Sequence, residues 1–255
     1  MRFPMLLALV GASLGAQGWA PGRRVLLDAH NCYPEKGLWA DRLDRALAQG
    51  LPIAVEQDLL WHNGRSILSH DSNPSGGEPG MREYFFERVR PLVEGALRSG
   101  GRRRWPLIVL NLDFKSDEPQ HHHVVWDLLG EYESWLTTAH KGGAGMERLD
   151  VRPILVLTGA SDVQERTFHD AVPNGGKLRV FGAVPLRTGV TAATPAGEIL
   201  SGAPSNYRRW WNNPWSIVET GGQVQAGDWT ATDGRRLKAL VRHGHRWDCG
   251  FASTP

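Results

Sequence analysis

Cysteine is almost missing from this chain: Cys32 and Cys249 are the two among 255 residues. Two cysteines form one bridge at most, which excludes a disulfide-stapled scaffold. Two buried thiols is the default reading, since sequence alone cannot place the pair within bonding distance. Long hydrophobic runs are missing too. The apolar stretch Met5 to Leu14 is too short to span a bilayer, and no later segment is long enough. Nor does one sign of charge prevail. The 29 Lys and Arg stand against 27 Asp and Glu, a formal net charge of +2, which argues against nucleic acid as the main partner. The basic clusters Arg102–Arg104 and Arg208–Arg209 are local and read as solvated loops. No internal repeat is evident, and no glycine-rich phosphate loop follows the first strand-like run.

What is present begins with an N-terminus built like a secretory signal peptide. Arg2 supplies a positive start, Met5 to Leu14 an apolar middle, and Ala16, Gly18 and Ala20 small residues for cleavage. The expectation is a signal segment over 1–20, one domain over 21–255, and a secreted or periplasmic protein. That length suffices for a single α/β barrel.

Apolar strand-like runs then alternate with amphipathic helix-like ones. Strands are predicted at Val25–Ala29, Ile53–Leu60, Leu107–Phe114, Ile154–Leu157, Leu178–Val184, Ser216–Glu219 and Trp247–Phe251. Helices are predicted near Leu38–Gln49, Arg82–Arg98, Gln120–Thr138, Asp162–Ala171 and Asp233–His243. Gly50, Gly100 and Gly244 fall just past three of them, where a left-handed C-cap is wanted. This alternation implies parallel βαβ units. Polar residues gather at the ends of three successive strands, as they do on the functional face of a TIM-type (β/α)₈ barrel. Only about seven strands can be counted, and His245–Phe251 makes a poor core strand. The expectation is a TIM-type (β/α)₈ barrel that is either incomplete at its C-terminal end or closed by another route.

The polar strand ends carry the chemistry. The first strand closes on His30-Asn31. The second carries Glu56-Gln57-Asp58, with Ser69-His70-Asp71 a short turn later, and the third carries Asp113-Phe114-Lys115. Side chains two apart on a strand share a face, so Glu56 and Asp58 project together. Adjacent carboxylates repel unless a cation or proton sits between them. With a histidine on either side, the pattern reads as a divalent-metal site flanked by two acid/base groups.

These motifs, in this order and spacing over roughly residues 25–116, resemble the TIM-barrel phosphodiesterase superfamily. That group includes phosphatidylinositol-specific phospholipase C, the glycerophosphodiester phosphodiesterases and sphingomyelinase D. The resemblance implies a metal-dependent phosphoric diester hydrolase acting on a small or lipid-derived phosphodiester. It casts His30 and His70 as the general acid/base pair and Lys115 as the group that stabilises phosphoryl charge. Glu56, Asp58 and Asp113 would bind Mg²⁺ or Ca²⁺, with Asn31 as a fourth ligand in the phospholipase C manner. Glycerophosphodiesterases tend to carry Arg after the first His, so Asn31 departs from them. Asp113-x-Lys115 matches the sphingomyelinase D group, which makes such a phospholipase the alternative enzyme. A catalytically inactive barrel that binds phosphorylated ligands or a partner is the alternative of another class.

Two further segments stand out. His121-His122-His123 cannot share one ion on a helix, where neighbours diverge by about 100°; a solvated helix start is the expectation. Eleven tryptophans are many for this length. Trp210, Trp211 and Trp215 lie in a stretch read as a loop, where they would face lipid or substrate, or simply pack around the barrel rim.

Overall fold

The protein is described by a computed structural model covering residues 26–100, 105–143, 145–220, 227–246 and 250–254. The expected signal segment over 1–20 and Cys249 lie outside the described residues. No helix among those described is long and apolar enough to cross a membrane.

The strands are β1 (Asp28–Ala29), β2 (Ile53–His62), β3 (Arg65–Leu68), β4 (Ile108–Phe114), β5 (Ala139–His140), β6 (Ile154–Thr158), β7 (Lys177–Leu178), β8 (Phe181–Ala183), β9 (Arg208–Pro214) and β10 (Gly250–Thr254). The helices are α1 (Arg42–Leu47), α2 (Glu87–Arg98), α3 (Pro119–Glu131), α4 (Asp162–Glu165) and α5 (Ala231–Arg246). Wide π turns over Arg82–Phe86 and Arg166–Asp170 adjoin α2 and α4. One sheet runs β1-β2-β4-β6-β8-β9-β10 with every pairing on that path parallel, and β3 folds back antiparallel on β2. A separate ribbon pairs β5 with β7.

This is a mixed α/β fold whose parallel sheet curls like part of a barrel without completing eight βα units. The reason is visible in the pairing. β1 and β10 are the two ends of the path and do not pair with each other, and β1 and β8 are only 2 and 3 residues long.

β2 and β4 are buried on both faces, which is why their sequences read as continuous apolar runs. Ile53, Val55 and Leu59 with Ile108, Leu110 and Leu112 pack against the helix side, on Phe85, Phe86, Val89 and Leu129. Each such side chain, fully buried, contributes about 1.5–3 kcal/mol. The other face starts with a small apolar layer of Ala54, Val109, Leu155 and Phe181.

Several boundaries move. The sixth strand is Arg208–Pro214 rather than Ser216–Glu219, which is instead a tight turn over Trp215–Ile217. The run before it reads as polar, yet Arg208 is only 9% exposed because carboxylates and carbonyls meet its charge. Leu178–Val184 splits between β7 and β8; of the predicted Trp247–Phe251, residues 247–249 lie outside the described residues and 250–251 open β10. Helix α1 starts at Arg42, and α3 ends at Glu131, after which Leu136 is already extended. Gly50 and Gly100 adopt left-handed φ values of +104° and +67° at their helix ends, whereas Gly244 lies inside α5.

Candidate metal centre

The site is built by register. β2 and β4 pair Glu56 with Asn111 and Asp58 with Asp113. Alternation then puts all four side chains on the inner face, just beyond the Ala54–Val109 layer. One carboxylate oxygen from each of Glu56, Asp58 and Asp113 lies within 4.8 Å of the others. Glu56 is 5% exposed and Asp58 0%.

One ammonium and one imidazole stand against these three carboxylates. Lys115 leaves the end of β4, where its N–H bonds Leu59 O at 2.8 Å. Its ammonium lies 2.6 Å from Asp113 Oδ2 and 3.0 Å from Asp58 Oδ2. His30 Nε2 lies 3.3 Å from Glu56 Oε2. Burial pushes the Asp58 carboxyl above its ordinary range, although Lys115 and Tyr33 pull against it. Burial likewise raises Glu56, offset in part by the Asn31 N–H and by His30. For Lys115, burial works against the charge, but the hydrogen bonds of Asp113 and Asp58 win and hold the ammonium above its usual range. Lys115 cannot satisfy everything: Asp58 Oδ1 is buried and has no hydrogen-bond partner.

The donor set fits a hard divalent cation, which takes carboxylate oxygens. The bare Asp58 oxygen is where such an ion would find an unspent lone pair. The triad can therefore hold a divalent metal.

The loop after β1 is laid across this cluster. Asn31 sits at φ +51°, a left-handed conformation that Asn tolerates better than most residues. Its backbone N–H donates to Glu56 Oε2 at 3.0 Å, and Cys32 N–H donates to Glu56 O at 3.0 Å. The Gln57 amide donates to Cys32 O. Arg42 reaches back from α1 to Asn31 O at 2.9 Å and Tyr33 O at 3.1 Å. Cys32 carries a free thiol, which burial pushes up to about 11.

Glu56, Asp58, Asp113, Lys115 and His30 thus come together as the sequence suggests. Asn31 touches Glu56 through its backbone, while its side chain meets Tyr33. His70 is exposed at the end of β3 and makes no hydrogen bond to the carboxylates. It lines a cavity of about 560 Å³ together with Tyr33, Lys36, Ser69 and Asn73. Asp71 caps a turn by accepting from Asn73 N at 2.9 Å.

Tyr33 and Arg42 are the site residues that sequence reasoning missed. An aromatic two residues past Asn31, with its hydroxyl free to reach a buried carboxylate, was the available signal.

Two other expectations are corrected. His121 and His122 are buried, not solvated: they stack among Trp61, Phe114 and Phe168. His121 can sit there because Ser66 Oγ lies 2.9 Å from its Nε2, whereas both ring nitrogens of His122 lack a hydrogen bond and only the Asp117 carboxylate, with Oδ1 3.1 Å from Nε2, stands near. Trp210 and Trp211 belong to β9 and are 5% and 0% exposed, so neither faces outward from a loop. Trp215 is half-buried and donates to Glu219 Oε2 at 3.0 Å. Leu38 and Trp39, which follow the cavity-lining Gly37 in the chain, are exposed.

Compared with family models, curated proteins and solved structures, the chain matches none.

Proposed function

We propose that this chain is a metal-dependent phosphoric diester hydrolase, on an unclosed relative of the (β/α)₈ barrel. Its substrate is a small or lipid-derived phosphodiester, a glycerophosphodiester or phospholipid. The observation that carries the reading is the oxygen balance. Three carboxylates from two paired strands converge, and the most buried keeps an unpartnered oxygen despite an adjacent lysine.

Mg²⁺ or Ca²⁺ held by Glu56, Asp58 and Asp113 would neutralise charge on the non-bridging oxygens. The remaining work belongs to the chain's own groups. His30 exchanges a proton at the imidazole while Glu56, beside Nε2, fixes the ring. In this reading His70, on the wall of the neighbouring cavity, would serve the oxygen on the other side of the phosphorus. Lys115 adds positive charge toward the phosphoryl group. The cavity is walled by Lys36, Ser69, Asp71, Asn73 and Ser75. That lining suits a hydroxyl- or amine-bearing head group better than an acyl chain.

A sphingomyelinase D-like phospholipase is the narrower alternative, favoured by the Asp113-x-Lys115 pattern. A binding protein without turnover is the other, favoured by the open sheet.

Hydrolysis of bis(p-nitrophenyl) phosphate, with EDTA and then with Mg²⁺ or Ca²⁺ restored, tests the reading. His30→Ala and His70→Ala should each lose about 10²–10⁴-fold in turnover while melting like the parent. Full activity in either variant removes the proposed acid/base pair. Metal binding without turnover on glycerol and phospholipid diesters as well would establish the binding protein instead.

A further inference from the structure

The Tyr33 hydroxyl has two acceptors and one hydrogen. It lies 2.9 Å from Asp58 Oδ2 and 2.9 Å from Asn31 Oδ1, on a residue 1% exposed. A phenol donates once and otherwise accepts. With Asp58 ionised, the hydrogen goes to the carboxylate, because a charge-assisted bond is the stronger of the two. Asn31 must then meet the phenolic oxygen with its NH₂ group, the amide turned end for end. The three residues form a hydrogen-bond chain with one direction, from Asn31 through Tyr33 to Asp58.

At the far end this chain sorts the lone pairs of Asp58. Oδ2 accepts from Tyr33 and lies 3.0 Å from the Lys115 ammonium. Oδ1 is left buried and without a partner. The head of the chain is held as firmly. Asn31 is fixed by its backbone bond to Glu56, and Arg42 holds the carbonyls of Asn31 and Tyr33.

We infer that Tyr33 is a positioning residue of the metal centre, fixing which oxygen of Asp58 faces the cation, and that the Asn31 side chain acts through Tyr33 and not as a ligand. This rests on the metal reading proposed above.

Calorimetric titration of the full chain with Mg²⁺ or Ca²⁺ alone decides it, using the parent, Tyr33→Phe, Asn31→Ala and the double variant. Tyr33→Phe keeps the ring and removes one oxygen, and should weaken metal binding about 10–100-fold. The melting temperature of the metal-free protein reports the fold separately. Asn31→Ala, at a partly exposed side chain, should weaken binding less. In the Tyr33→Phe background it should add nothing, since residues acting in one chain are not additive. Parent-like binding by Tyr33→Phe overturns the inference. Fully additive losses also overturn it, and make Asn31 a ligand in its own right. A parent protein that takes up neither ion removes the metal reading itself, a failure seen before any variant is made.

Discussion

Two charged assemblies, each anchored on a buried group, share this sheet, and they are balanced in opposite ways. On β9, Arg208 spends every nitrogen. Nε donates to Glu165 at 2.8 Å, Nη2 to Asp162 at 2.6 Å, and Nη1 to the carbonyls of Ala160 and Ala183, both at 3.1 Å. On β2 and β4, three carboxylates face one ammonium and one imidazole, and an oxygen of the most buried acid is left over. The Arg208 assembly ties the β6–α4 turn to β8 and β9 and asks for nothing further. The Asp58 assembly keeps a buried oxygen without a partner, where a divalent cation could be held. Complete pairing marks a structural joint. A shortfall of positive charge beside three converging carboxylates is what a cation site requires.

Breaking the balanced side should have the larger effect on folding. Arg208→Met leaves the partly buried Glu165 and the buried Ala183 carbonyl without their donors, and should cost about 1–3 kcal/mol in urea unfolding. A loss under about 1 kcal/mol would mean that the joint is not structural.

Acid titration sharpens the contrast next. Burial pushes His121 down from 6.5 to about 4, so the unfolded chain takes the proton first. The stability it contributes is full above its unfolded value and is lost as pH falls toward the folded one, on the order of 3 kcal/mol in all. His121→Phe should flatten that acid limb in urea midpoints measured from about pH 3 to 8. Glu56 and Asp58 are raised, so they act with the opposite sign. Their protonated forms favour the fold at low pH, and the metal-free protein loses stability as pH climbs past the ordinary carboxylate range. Added Mg²⁺ should abolish that decline.

The smallest effect belongs to the ion itself. A hundredfold excess over its dissociation constant should stabilise the protein by about 2.7 kcal/mol, read as a thermal shift reversed by EDTA. Glu56→Gln should lose that shift, yet raise metal-free stability by about 1 kcal/mol by removing a costly buried charge. A destabilised metal-free Glu56→Gln would show that the triad's charges help the fold.

Sequence periodicity located β2, β4, β6 and the helical stretches 82–98 and 162–170 because burial on one or both faces writes itself into apolar spacing. It missed β3, although the two-residue turn Asn63-Gly64, at φ +49° and +76°, is a hairpin signal. It missed β9 because Arg208 and Arg209 read as solvated, and the burial of Arg208 depends on Glu165, Ala160 and Ala183, far away in the chain. His121 and His122 were misread for the same reason, since Ser66, Ser116 and Asp117 reach them from other elements.

The sequence by itself determined which residues can bear the chemistry, because strand alternation puts Glu56 with Asp58 and Asp113 with Lys115 on shared faces. Tertiary structure alone decided that these two faces are one face, through the β2–β4 register, and that His30 stands at its rim while His70 lies apart on a cavity wall. It alone decided that Tyr33 divides the oxygens of Asp58, and that the sheet stays open. Alternation is a local property of the backbone, whereas register, hydrogen counting and closure depend on which distant segments meet.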